Sequence, residues 1–178
     1  MSLCCNHRGR EMGFKTVIAA IAGLLLSASA SAEPLHQGQW DVEVTTSQLA
    51  GGTDYTASNT SANSVKNDIG RKRTASLVVQ CKSGELNVFV DWPAFMGNYG
   101  TEVTWTFDQG QTAKQTWKPL GTGTGTVVPS PRDFLKDMST AGKLVVDAPP
   151  YQFTSIEAVF YLSGADKVVH DVEAACPK

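Results

Sequence analysis

Two consecutive strand pairs between Leu77 and Trp117 limit the possible folds more than any other stretch of the chain. Apolar residues recur at every second position along Leu77, Val79 and Cys81 and again along Leu86, Val88, Val90 and Trp92, with Lys82-Ser83-Gly84-Glu85 as the turn between them. This is the period of half-buried antiparallel strands joined by a short glycine-containing loop. Val103, Trp105 and Phe107 then alternate with Thr104, Thr106 and Asp108, a turn follows at Asp108-Gln109-Gly110-Gln111, and the chain returns through Thr112 to Trp117. A β-meander holding three of the four tryptophans is therefore the expected core.

The first segment belongs to targeting rather than to the fold. Thr16 to Leu26 is an apolar run preceded by Lys15 and followed by small residues up to Ala30-Ser31-Ala32, which is the layout of a signal peptide cleaved between Ala32 and Glu33. Met12 opens a more ordinary leader than Met1, since it avoids Glu11 and the His7-Arg8-Gly9-Arg10 segment. The run is shorter than the about 20 apolar residues a permanent span needs. Residues 1–32 are thus read as a leader. Removing them leaves roughly 146 residues, enough for one core. Arg8, Arg10, Lys15 and Glu11 leave with the leader, after which acidic residues exceed basic ones by about 4. That balance disfavours nucleic acid or an anionic membrane as the main partner, because neither would be attracted.

Cleavage also discards Cys4 and Cys5, so that Cys81 and Cys176 remain as an even pair in an exported chain. Such a pair reads as one disulfide. A metal site has no support from spacing, because only His36 and His170 accompany the cysteines and no Cys-x-x-Cys is present. No motif requires a cofactor.

Residues 33–69 divide into a strand and a weaker segment of the same domain. Trp40, Val42 and Val44 alternate on one face, whereas Ala50 to Asp68 is rich in Ser, Thr, Asn, Gly and Ala and is expected to be a mobile excursion or a weak edge strand. Residues 70–178 should hold the β-rich core and a C-terminal helix. Arg71-Lys72-Arg73 is the basic cluster of the exported chain. It reads either as a contact for an anion or acidic partner, or as a solvated strand entry. Gly121-Thr122-Gly123-Thr124-Gly125 lacks the Gly-Lys-Ser/Thr ending and following helix of a phosphate loop, and reads as a loop or strand edge.

Two helices have recognisable starts. Ser130-Pro131-Arg132-Asp133 places serine at an N-cap, proline at the first helical position and an acid beyond, with Phe134, Leu135 and Met138 as the apolar face and Gly142 as the stop. Ser163-Gly164-Ala165-Asp166 opens the second helix, which carries Ala165, Val168, Val169, Val172 and Cys176 at helical spacing. Between the helices, Leu144 to Val146 and Tyr151 to Leu162 are strands separated by Pro149-Pro150. The fold class is therefore α+β: a mainly antiparallel, sandwich-like sheet with two short helices and one disulfide.

Common nucleophile and zinc-protease motifs are missing from the sequence. Asp91, Glu102 and Asp108 are the carboxylates that could pair as wall-cleaving glycosidases require, although acids at strand ends are common. Among the aromatics, Trp92 and Trp105 fit the buried alternation, which leaves Phe95 and Tyr99 in the Pro93 to Gly100 loop as surface candidates for binding.

An ordered series of short matches points to a family. It includes Arg71-Lys72-Arg73-Thr74, Leu77 to Cys81, Glu85 to Trp92, Glu102 to Asp108, Trp117, Phe134-Leu135-Lys136, Leu144-Val145-Val146, Pro150-Tyr151, Ala158 to Gly164 and Ala174-Ala175-Cys176. From Gly70 to the C-terminus the chain resembles the small exported accessory proteins of type VI secretion systems, the VasI/TagO type. The resemblance implies a periplasmic, non-enzymatic component bound to an envelope or secretion-apparatus protein, and it brings no catalytic residues. A second reading is a periplasmic inhibitor of a lysozyme-like wall hydrolase, because Cys81-Lys82-Ser83-Gly84-Glu85 is similar to the cysteine-plus-glycine turn of such inhibitors. Their later serine-glycine loop has no clear counterpart, since Leu162-Ser163-Gly164-Ala165 opens a helix.

Overall fold

The computed structural model describes residues 35–46, 52–121, 123–152 and 154–177. The expected leader, Met12 and the Ala32-Glu33 cleavage point lie outside the described residues. The strands are β1 (Leu35–Gln37), β2 (Trp40–Thr46), β3 (Thr53–Thr60), β4 (Val65–Lys66), β5 (Lys72–Arg73), β6 (Ser76–Lys82), β7 (Glu85–Asp91), β8 (Thr101–Phe107), β9 (Ala113–Pro119), β10 (Gly125–Val127), β11 (Lys143–Ala148) and β12 (Ile156–Tyr161). The helices are α1 (Pro131–Met138), between β10 and β11, and α2 (Ala165–Ala175), after β12. The class is α+β and the sheet is antiparallel throughout its described pairings.

Ten strands form one continuous sheet in the order β1-β2-β3-β6-β7-β10-β9-β8-β11-β12, while β4 and β5 make a separate two-stranded ribbon. The two expected hairpins are present. At the β6–β7 turn, Lys82 pairs with Glu85 and both Ser83 and Gly84 have positive φ, as a two-residue hairpin turn matched to strand twist requires. The hairpins do not, however, form an uninterrupted meander. The short β10 lies between β7 and β9; the glycine-rich run is a loop, as expected, up to Thr124, and its last residue, Gly125, opens this interior strand. Gly123 makes this possible: its φ is +72°, and a Cβ there would overlap the Phe95 ring.

The Ser/Thr-rich segment also departs from expectation. Residues 53–60 are not an excursion or an edge but β3, which lies between β2 and β6. Its inward positions, Tyr55, Ala57 and Asn59, alternate with less buried ones, and α2 packs across β3 and β6. Small side chains suffice where a helix covers a strand closely, so the burial is real although large apolar residues are few. Along β2, Trp40 and Val42 are buried and Val44 is not, so the inward face ends one residue pair earlier than the alternation predicts.

Beyond β3 the chain turns back on the far end of the sheet. β12 pairs with β11 along one side, and its other side is met by backbone and side-chain amides. Ala62 N–H donates to the Val159 carbonyl at 2.7 Å. Asn63 accepts from Val159 N–H at 2.9 Å and donates to the Glu157 carbonyl at 2.7 Å, and Asn59 Nδ2 donates to the Tyr161 carbonyl at 2.7 Å. The sheet therefore curls until its β12 edge is closed by the end of β3 and the residues that follow.

The helices seal the core. In α1, Phe134, Leu135 and Met138 are buried as the sequence predicts, and Phe134 lies among the rings of Trp105, Phe107 and Trp117 at centroid distances of 5.1 to 6.3 Å. Pro131 is the first helical residue, and Ser130 holds the N-cap position without a side-chain capping bond. The helix ends at Met138, ahead of Gly142, whose N–H is bound by Asp108. In α2 the N-cap is Gly164 in the left-handed region rather than Ser163. Ala165, Val168, Val169 and Val172 face the core. Cys176, just past the helix, is joined to Cys81 of β6 with the two Cα atoms 5.6 Å apart. Both cysteines are buried, and closing a chain separation of 95 residues stabilises the folded state by about 4–5 kcal/mol in the chain-entropy account.

Candidate interaction surface

Three sequence-distant segments converge at the end of β6 opposite the disulfide. The first is the ribbon of β4 and β5. Asn67 N–H bonds the Arg71 carbonyl at 2.9 Å, the Asn67 side chain accepts from Arg71 N–H at 2.8 Å and Ile69 N–H at 3.2 Å, and Gly70 N–H closes on the Asn67 carbonyl at 2.8 Å. Such asparagine-centred bonding makes a tight turn, and it holds Ile69 at the tip with 70% of its surface exposed. Arg71, Lys72 and Arg73 are all exposed on the returning limb, and Lys66 is exposed across from Lys72. Among the described residues none of these four cations lies in an ion pair.

The second segment is the Pro93 to Gly100 loop. Its entry is fixed by Trp92, whose backbone N–H donates to the Thr124 carbonyl at 2.9 Å and whose ring N–H donates to the Thr126 hydroxyl at 3.0 Å. Its middle is tied down by Met96 N–H to the Gly123 carbonyl at 2.8 Å and by the Thr101 hydroxyl to the Met96 carbonyl at 2.7 Å. The third segment follows Pro149-Pro150. Tyr151 N–H donates to the Phe95 carbonyl at 2.9 Å, and the two rings meet edge to face at 6.0 Å.

One carboxylate joins the ribbon to the loop. Asp68, in the ribbon turn, accepts from Phe95 N–H at 3.1 and 3.3 Å through its two oxygens. The two binding candidates separated in the sequence, Arg71-Lys72-Arg73 and the Phe95 to Tyr99 loop, therefore stand at one end of the molecule. They differ in role. Phe95 is half-buried beneath Tyr151 and over Gly123, which makes it a support. Tyr99 is 99% exposed and Tyr151 is 54% exposed. A groove of about 340 Å³ runs between the segments, lined by Lys66, Asp68, Ala94, Pro150 and Ile156 among others.

Lys66, Asp68, Ile69 and Tyr151 were not among the binding candidates read from the sequence. The Asn67-Asp68-Ile69-Gly70 run carries the turn chemistry that could have revealed the ribbon. Tyr151 had no such signal, because only its contact with Phe95 gives it a place.

The three carboxylates considered for catalysis are not brought together. Glu102 and Asp108 stand at opposite ends of β8, about 20 Å apart along an extended chain. β7, which ends at Asp91, is separated from β8 by β10 and β9, roughly 14 Å across the sheet. Each has a local partner. Asp91 accepts from the Thr124 hydroxyl at 3.0 Å, Glu102 pairs with Lys114 at 2.6 Å, and Asp108 accepts from Gly142 N–H at 3.0 Å and Lys143 N–H at 2.8 Å. His170 is exposed on α2 beside Asp171. Among the described residues no helix is long and apolar enough to cross a membrane.

No family model and no curated protein matches the sequence. Among solved structures, the fold is similar to that of invasion associated protein B from Bartonella henselae, with a TM-score of 0.56 and 10% identity over 80% of this chain and 97% of that chain. At that identity the likeness concerns the fold.

Proposed function

We propose that this chain is an exported, non-enzymatic accessory protein that works by binding an envelope or secretion-apparatus component, in the manner of the type VI secretion accessory proteins it resembles. The observation that carries the reading is the meeting of the basic ribbon and the Pro93 to Gly100 loop around one groove, with exposed Ile69 and Tyr151 next in the chain to its lining residues and exposed Tyr99 on the loop. Exposed aromatics near cations on loops anchored to a rigid sheet are the usual equipment of a recognition surface. The buried Cys81–Cys176 bond suits an oxidising compartment such as the periplasm, which agrees with the leader-like N-terminus. The separate engagement of Asp91, Glu102 and Asp108 supports structural roles for the carboxylates.

Affinity capture from envelope extracts of the source organism, with oxidised protein as bait and a Tyr99→Ala, Ile69→Ser bait as control, tests this reading. Recovery of a secretion-apparatus component by the first bait and its loss with the second is the expected result. Recovery of a wall hydrolase alone, equally by both baits, would overturn it.

A further inference from the structure

We infer that the groove takes an acidic peptide segment bearing an apolar anchor, a partner chemistry that deepens and rests on the binding role proposed above. Charge is the first ground. Lys66, Arg71, Lys72 and Arg73 are four exposed cations within the ribbon, with Asp68 the one carboxylate there. Among the described residues the Asp68 oxygens accept from Phe95 N–H and form no ion pair with these cations. The rest of the exported chain is acidic in balance. An acidic partner is therefore repelled by most of the surface and attracted here, which selects both the site and the orientation of approach.

Shape is the second ground. At about 340 Å³ the groove lies near the lower end of the range for small-ligand pockets, roughly 300–1,000 Å³, so it admits one or two side chains rather than a folded face. Ala94, Pro150 and Ile156 give it apolar walls, and Lys66 and the Phe95-bound Asp68 line it as well. A side chain seated between those walls would place flanking carboxylates within reach of the ribbon cations, while exposed Ile69 and Tyr151, next in the chain to lining residues, extend the apolar contact outside and Tyr99 stands exposed on the same loop as Ala94. A flat lipid surface could meet the cations but could not fill the concavity, which favours a peptide over an anionic membrane.

The test is titration of the oxidised protein with a fluorescent peptide in which aspartates flank a Leu-Phe pair, beside the same peptide with asparagine replacing each aspartate. Vesicles of phosphatidylglycerol and phosphatidylcholine form a third arm. Exposed ion pairs contribute about 0.2–1 kcal/mol each, so the aspartate peptide should bind roughly tenfold tighter than the asparagine peptide. The advantage should shrink as salt shortens the Debye length. Amide shifts on binding should fall in residues 66–73, 94–99 and 150–156. Lys72→Glu with Arg73→Glu, both exposed, should reverse the preference toward a lysine-flanked peptide, and Tyr99→Ala should weaken binding without altering the urea midpoint. Equal binding of the aspartate and asparagine peptides, shifts elsewhere, or binding to vesicles but not peptide would overturn the inference. If the peptide arm fails while capture still returns a secretion component through the same surface, the accessory role stands and only the acidic partner falls.

Discussion

The two ends of β6 are built for different tasks. At one end Cys81 is buried, covalently joined to Cys176, and packed beneath α2. At the other, about 20 Å away along the strand, the chain opens into a ribbon and loops held by individual hydrogen bonds such as Asp68 to Phe95 and Phe95 to Tyr151. On the binding role proposed above, the contrast separates stability from recognition. Bonds at exposed positions contribute little to the folding equilibrium but fix where side chains stand, whereas a buried cross-link does the reverse.

The largest effect should come from removing the staple. Cys81→Ala with Cys176→Ala should cost about 4 kcal/mol, seen as a lower urea midpoint. An unchanged midpoint would show that the two ends are equally supported by packing. Asn59→Ala comes next at about 1–3 kcal/mol, because Asn59 is only 2% exposed and the Tyr161 carbonyl loses its partner. This marks how far the stabilising region reaches toward the loops.

A third effect depends on pH. Burial, with the Asp171 carboxylate as a smaller contribution, raises the Tyr55 hydroxyl above its ordinary value, near 10 in model peptides. The unfolded chain then releases this proton first as pH rises, so the neutral Tyr55 supports the fold fully below about pH 10 and progressively less above it. Tyr55→Phe should flatten the alkaline fall of the urea midpoint, and an identical fall in both proteins would rule out this source. The smallest stability effect belongs to Asp68→Ala, within about 0.5 kcal/mol as for ordinary surface changes. Exchange of the Phe95 amide with solvent should nevertheless accelerate. A large loss of stability in this variant would erase the distinction between the two ends.

The distinction also explains which parts of the fold could be read from sequence. β6 to β9, the helical faces and the cysteine pair announce themselves through local period and compartment chemistry. β3 does not, because its inward Ala57 and Asn59 acquire meaning only once α2 and the β12 edge lie against them. β10 is three residues long, too short for any alternation, and its place between β7 and β9 is set by pairing across sequence-distant strands. The sequence singled out Arg71-Lys72-Arg73 and the Phe95 to Tyr99 loop separately. Their meeting depends on the bond from Asp68 to Phe95, across 27 residues, and no local pattern encodes it.

The asparagine contacts along β12 carry one more consequence. A carboxamide has the same donor and acceptor as a peptide group, so Asn63 occupies part of the edge where another strand would otherwise dock, and Asn59 occupies its end. An unfinished edge recruits neighbouring molecules; here the chain terminates its own sheet. Exchanging the Asn59 amide nitrogen for oxygen, as Asn59→Asp does, would set a carboxylate against the Tyr161 carbonyl and convert attraction into repulsion. A single-atom change would thereby release the end of that edge and leave it open to another strand.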